Sequence, residues 1–138
     1  ERRPMQSYTI AIIDDDELFL DALTSALPEQ HKVLRMTSSA ELMTFLRESN
    51  ESVDAFFIDL EMPDTADVVW QLGGLTAVKE LRAHFGENAP MIGVLTGMDS
   101  IVHSYTCIKN GADEFIEKSV EIEKIVTTMQ ERLELRAA

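Results

Sequence analysis

Strand-like and helix-like segments alternate strictly along this chain, and that order admits few folds. Short apolar runs at Tyr8–Ile13, Lys32–Met36, Asp54–Asp59, Pro90–Leu95 and Asp113–Glu117 predict strands. The first, third and fourth are apolar nearly throughout, as strands covered on both faces should be. Helical periodicity fills the gaps. Leu18, Leu20, Ala22, Leu23, Ala26 and Leu27 mark a first helix that stops before Pro28. Ser38 or Ser39 can cap a second that carries Leu42, Phe45 and Leu46, with Glu41 placed for a capping box from Ser38. Leu75, Val78, Leu81 and Phe85 mark a third, ending near Gly86. Ile101, Tyr105 and Ile108 mark a fourth, stopped by Asn110-Gly111. Ile122, Ile125, Val126, Met129 and Leu133 stripe a fifth.

Alternation of this kind means a parallel sheet with helices on both faces, joined by short right-handed crossovers. Five such units predict an α/β fold with a single five-stranded parallel sheet. It is doubly wound as (βα)5, flavodoxin-like, with strand order 2-1-3-4-5. One domain is expected over residues 8–136, preceded by an extension at residues 1–7 and carrying an extended loop at about residues 64–72. The opening Glu1-Arg2-Arg3-Pro4 reads as a trimmed or engineered end, so the chain is open to being part of a longer protein.

Ligands of doubly wound sheets sit outside the carboxyl ends of the strands, where the first and third strands diverge. Asp14-Asp15-Asp16 and Asp59 end those two strands here, while Thr96 and Lys118 end the fourth and fifth. Clustered carboxylates repel one another unless a cation sits among them, and a hard divalent ion takes such oxygen ligands. Asp16 precedes the first helix and is read as its cap. Asp59 can act as a nucleophile, since a carboxylate that takes a phosphoryl group becomes an acyl phosphate. Lys118 offers a point charge for phosphate oxygens and Thr96 a hydroxyl donor. Taken singly, a strand-end lysine is usually surface and a Thr-Gly pair usually a turn. Only their joint placement points to a site that binds a metal and receives a phosphoryl group.

Nearly the whole chain, from about Tyr8 to the fifth helix, resembles the receiver domains of two-component response regulators. The matching motifs are Ile13-Asp14-Asp15-Asp16, Ile58-Asp59-Leu60-Glu61-Met62-Pro63, Leu95-Thr96-Gly97, Asn110-Gly111-Ala112-Asp113-Glu114-Phe115 and Glu117-Lys118, in that order and spacing. The resemblance implies that Asp59 is the phosphoacceptor. Asp14, Asp15, Asp59 and the backbone carbonyl of Glu61 would hold Mg2+ (or Mn2+), and Thr96 and Lys118 would hold the phosphoryl oxygens. Phe115, three residues before Lys118, falls where the family carries a switch aromatic; an ordinary core strand residue is the other reading. The phosphoryl donor would be a histidine kinase or a histidine phosphotransfer protein. Phosphorylation would then change the face made by helix four, strand five and helix five, which controls an output domain or partner. The same face is where the resemblance allows a homodimer. Such a domain catalyses only its own phosphorylation and dephosphorylation and is otherwise not an enzyme.

Three features depart from the family pattern. Ser119 follows Lys118 where proline is usual, which puts the expected cis peptide in question. The stretch from Asp64 to Leu72 is longer than usual and holds Val68, Val69 and Trp70, the single tryptophan. Either it folds back and buries those side chains, or it forms a partner patch beside the site or a lid that slows hydrolysis of the acyl phosphate. The last helix ends in Glu131-Arg132-Leu133-Glu134-Leu135-Arg136 and can run on into a linker or coiled coil.

Composition removes several classes of function. A formal charge of −13 opposes direct contact with nucleic acid or anionic lipid. No apolar run approaches the length of a membrane span, and there is no signal-peptide pattern. Cys107 is the only cysteine, so no internal disulfide forms; a small buried hydrophobe in a reducing, cytoplasmic compartment is expected. A haloacid-dehalogenase phosphatase needs an aspartate where Glu61 stands, and a flavin site needs a hydroxyl- and glycine-rich loop where three aspartates stand. The remaining alternative is a pseudo-receiver, a binding module that signals by contact without phosphorylation.

Overall fold

A computed structural model describes residues 6–62, 73–97, 101–118 and 121–137. Five strands, β1 (Thr9–Ile13), β2 (Lys32–Met36), β3 (Ala55–Asp59), β4 (Met91–Thr96) and β5 (Glu114–Glu117), form one parallel sheet in the order β2-β1-β3-β4-β5. The helices between them are α1 (Glu17–Ala26), α2 (Ser39–Glu48), α3 (Gly73–Phe85), α4 (Ile101–Lys109) and α5 (Ile122–Ala137). A short 3-10 turn at Gly86–Asn88 follows α3. Fold class and strand order are as the alternation predicts.

The period-two geometry of a strand sorts the core into two layers. Ile10, Ile12, Ala55, Phe57, Met91 and Leu95 face Leu20, Leu23 and Leu27 of the α1 segment and Ile125, Met129 and Leu133 of α5. Ala11, Ile13, Phe56, Ile58, Ile92 and Val94 face Leu42, Leu46, Ala77, Val78, Leu81 and Cys107 on α2, α3 and α4. Every residue of β3 and β4 is buried, as central strands covered on both sides require.

Several local expectations need correction. Leu18 belongs to the periodic set of the first helix but is 80% exposed, because the buried stripe runs through Leu20 and Leu23. On α4, Tyr105 (66% exposed) and Ile108 lie outward, and the helix packs through Cys107, the small buried hydrophobe expected. Ser38 caps α2 by accepting from the Glu41 N–H at 3.1 Å, but the Glu41 carboxylate accepts the Thr37 hydroxyl at 2.6 Å instead of closing the box. Gly111 ends α4 at φ +116°, a conformation that suits glycine, and its carbonyl accepts from the Arg82 guanidinium.

Among the described residues no helix is long and apolar enough to cross a membrane. The predicted loop at residues 64–72, with Val68, Val69 and Trp70, lies outside the described residues. So do Ser119 and most of the 1–7 extension.

Candidate functional site

The register brings four strand ends to one rim. Ile13 pairs with Ile58, Asp59 with Leu95 and Thr96 with Glu117, so the residues that follow or close these strands share an edge. Backbone bonds extend the ladders just beyond the strands. The Asp14 N–H donates to the Met36 carbonyl at 3.0 Å, Leu60 N–H to Leu95 at 2.8 Å, and Lys118 N–H to Thr96 at 2.7 Å. Backbone pairing thereby fixes where the acids and the lysine leave the sheet.

The three consecutive aspartates divide their work. Asp14 is fully buried, and its Oδ1 accepts from the Asp16 N–H at 2.9 Å. Asp15 is exposed. Asp16 is the N-cap of α1, its Oδ1 accepting from the Leu18 and Phe19 N–H groups, both at 3.1 Å. Opposite them, Asp59 is only 4% exposed and its Oδ1 accepts from the Glu61 N–H at 3.2 Å. The Lys118 ammonium lies 2.7 Å from Asp14 Oδ2 and 3.6 Å from Asp59 Oδ1. The Phe19 ring also faces it, with 4.4 Å from the nitrogen to the centroid. The Thr96 hydroxyl donates to Glu61 Oε1 at 2.9 Å.

A carboxylate oxygen from each of Asp14, Asp15 and Asp59 lies within 4.8 Å of the other two. Asp14 Oδ2 is buried and meets Lys118 as an ion pair, without a well-directed hydrogen bond. An all-oxygen donor set with such an under-satisfied carboxylate fits a hard divalent cation.

Burial, chiefly, and the nearby Asp14 carboxylate push the Asp59 carboxyl up to about 7 from an ordinary 3.8. Lys118 and the Glu61 N–H pull the other way but do not cancel this. Burial opposes the Lys118 ammonium, yet the Asp14 and Asp59 carboxylates outweigh it and raise its pKa above the ordinary 10.5. Below pH 3.8 the folded and unfolded forms both carry a protonated Asp59. Between about pH 4 and 7 only the folded form holds that proton, so stability from this group falls as pH rises and is gone above about 7. In chelator, the urea midpoint should therefore drop between pH 5 and 7.5, and added Mg2+ should reduce the drop. A midpoint that rises across this window in chelator would contradict the assignment.

The structure brings together Asp14, Asp15, Asp59, Glu61, Thr96 and Lys118. Phe115 does not join them: it is 45% exposed, against the core alternative, and lines a groove with Ile116, Glu123, Lys124 and Thr127. The patch residues Val68, Val69 and Trp70 fall outside the described residues, as does the Lys118–Ser119 peptide.

Three contributors escaped the sequence reading. Phe19 stands four residues before Leu23 and packs on the flank of the buried stripe, so helical periodicity was the available signal, but it gives no reason to expect contact with Lys118. Gly74 packs against the Asp59 carbonyl and Leu60 Cα; a Gly-Gly pair opening a helix, where glycine is a poor helix former, was the available signal. The Glu61 side chain engages Thr96, where only its backbone carbonyl had been assigned a role.

Residues 10–130 match the model of the response regulator receiver domain family. Among curated proteins, the transcriptional regulatory protein FixJ of Rhizobium meliloti is 30% identical over 130 residues, covering 91% of this chain and 57% of FixJ. The chain thus spans about half the length of the curated relatives it matches. Among solved structures, a CheY-like receiver domain protein from Methanospirillum hungatei superposes with a TM-score of 0.76 at 22% identity, covering 96% of this chain and 98% of that one. The response regulator DrrB, a Thermotoga maritima OmpR/PhoB homologue, gives 0.74 at 17% identity, covering 95% and 54%. At these identities the structural likenesses carry the fold alone.

Proposed function

The chain belongs to the response regulator receiver domain family, and from that premise we propose that it is a phosphorylation-dependent signalling switch with Asp59 as phosphoacceptor. One observation carries this reading. The buried Asp59 carboxylate shares its rim with an ammonium, a hydroxyl and two further acids, and holding its charge beside Asp14 there costs stability.

The donor is a phosphohistidine on a histidine kinase or phosphotransfer protein. An Asp59 carboxylate oxygen attacks phosphorus; the new P–O bond forms as the P–N bond breaks, and the imidazole leaves with that electron pair and takes up a proton. A bound Mg2+ (or Mn2+), held by Asp14, Asp15, Asp59 and the Glu61 carbonyl, would offset negative charge on the transferring group. Lys118 favours the carboxylate form of Asp59 and is placed to bind a phosphoryl oxygen. The Thr96 hydroxyl would exchange Glu61 for another phosphoryl oxygen. Water attack on phosphorus later releases inorganic phosphate and restores the carboxylate.

Movement of Thr96 and Lys118 toward the new dianion is the event that biases the α4, β5 and α5 face. That region already carries exposed apolar residues, Val102, Tyr105, Ile108 and Phe115, consistent with a partner or a second copy binding there. The output lies with the rest of a longer regulator or with a separate partner, and the setting is cytoplasmic.

Intact mass after incubation with Mg2+ and acetyl phosphate tests the reading. One phosphoryl group per chain is expected, with none when the divalent ion is chelated. No adduct while Mg2+ is demonstrably bound would replace it with the contact-only pseudo-receiver.

A further inference from the structure

We infer that Phe19 is a positioning residue for phosphoryl binding: its ring holds the Lys118 ammonium between the two carboxylates and the incoming group. The inference rests on the proposed role of Lys118 in binding phosphoryl oxygens. The Lys118 side chain is only 17% exposed, and among the described residues its ammonium has three close neighbours, Asp14 at 2.7 Å, Asp59 at 3.6 Å and the Phe19 ring at 4.4 Å. Two of the three are anions that a phosphoryl dianion would repel. The ring is different. Its face attracts the cation through the quadrupole, accepts no directed hydrogen bond, and carries no net charge to oppose the phosphoryl group. An ammonium resting on it can turn from Asp14 and Asp59 toward phosphoryl oxygens without losing that contact or re-entering water.

The ring is itself anchored at both ends. Its backbone N–H donates to the Asp16 N-cap at 3.1 Å, and its side chain packs against the core layer beneath α1 and α5. Asp16, which holds neither metal nor phosphoryl group in the proposed scheme, thereby acts on the site through α1. The third aspartate gains a use beyond capping alone.

The test is Mg2+-dependent binding of beryllofluoride, a phosphoryl mimic, to the full chain with position 19 varied. Pentafluorophenylalanine at position 19 keeps the size and apolar packing of the ring but reverses its quadrupole. Its Kd should weaken by about fivefold, while Phe19→Tyr, which keeps the face, should stay within about twofold of wild type. Phe19→Leu should weaken binding to the same extent as the fluorinated ring. If the fluorinated protein binds as tightly as wild type, Phe19 is only packing and the inference falls, whatever Phe19→Leu does. If wild type itself takes up no beryllofluoride with Mg2+ bound, the receiver reading fails first and this inference with it.

Discussion

Asp59→Asn is expected to abolish phosphoryl incorporation and, in chelator at pH 8, to raise stability by about 2 kcal/mol. The first effect follows because an amide oxygen is too weak a nucleophile to take the phosphoryl group. The second follows from burial: the folded protein holds a carboxylate at 4% exposure, and that burial, with the Asp14 carboxylate adding to it, raises its pKa to about 7. Asparagine removes the charge yet keeps an oxygen to accept from the Glu61 N–H. The gain should shrink at pH 5, where Asp59 in the folded wild type is already protonated, and shrink again when Mg2+ supplies a counter-charge. Urea melts of both proteins at the two pH values, beside intact-mass labelling, give all of these readings. A variant no more stable than wild type at pH 8 in chelator would show that the carboxylate is not held at a cost.

Gly74→Ala should produce the largest loss of stability of any single methyl addition near the site, about 2–4 kcal/mol, or about 10 °C in Tm. A Cβ there would sit 2.5 Å from both the Asp59 carbonyl oxygen and the Leu60 Cα. Those are backbone atoms at the end of a fully buried strand, so no side chain can swing aside. The start of α3 has to lift away, straining the Gly74 N–H bond to the Leu60 carbonyl (3.2 Å) and its neighbour from Gly73 to Met62 (2.9 Å). That turn also presents the Asp59 carboxylate, so labelling by acetyl phosphate should slow by at least about tenfold even below the melting temperature. Thermal unfolding within a degree of wild type would show that α3 can move off β3 freely.

Much of the molecule can be read from spacing. Apolar runs of buried strand length with helical periodicity between them fix the class of fold. Handed crossovers then fix which strand ends meet, so Asp14, Asp59, Thr96 and Lys118 could be grouped from their places in the chain. Strand limits differ by single residues: Tyr8, Asp54, Pro90 and Asp113 fall just before β1, β3, β4 and β5, while Thr96 closes β4. Helix faces were less legible. Leu18 and Tyr105 satisfy a helical period yet point outward, because period alone does not say which of two overlapping stripes meets the sheet.

The sequence by itself determined the alternation, the parallel sheet and the chemistry at its carboxyl rim, since these depend on residue types at fixed intervals. Only the tertiary structure decided which groups touch across elements. The Glu61 carboxylate engages the Thr96 hydroxyl, the Phe19 ring lies against Lys118, and the Gly74 Cα sits on the Asp59 carbonyl. The first two contacts join elements separated by at least one crossover, and the third joins β3 to the start of the helix that follows it. Their geometry is set by how helices seat on a twisted sheet, and no local interval along the chain records those distances.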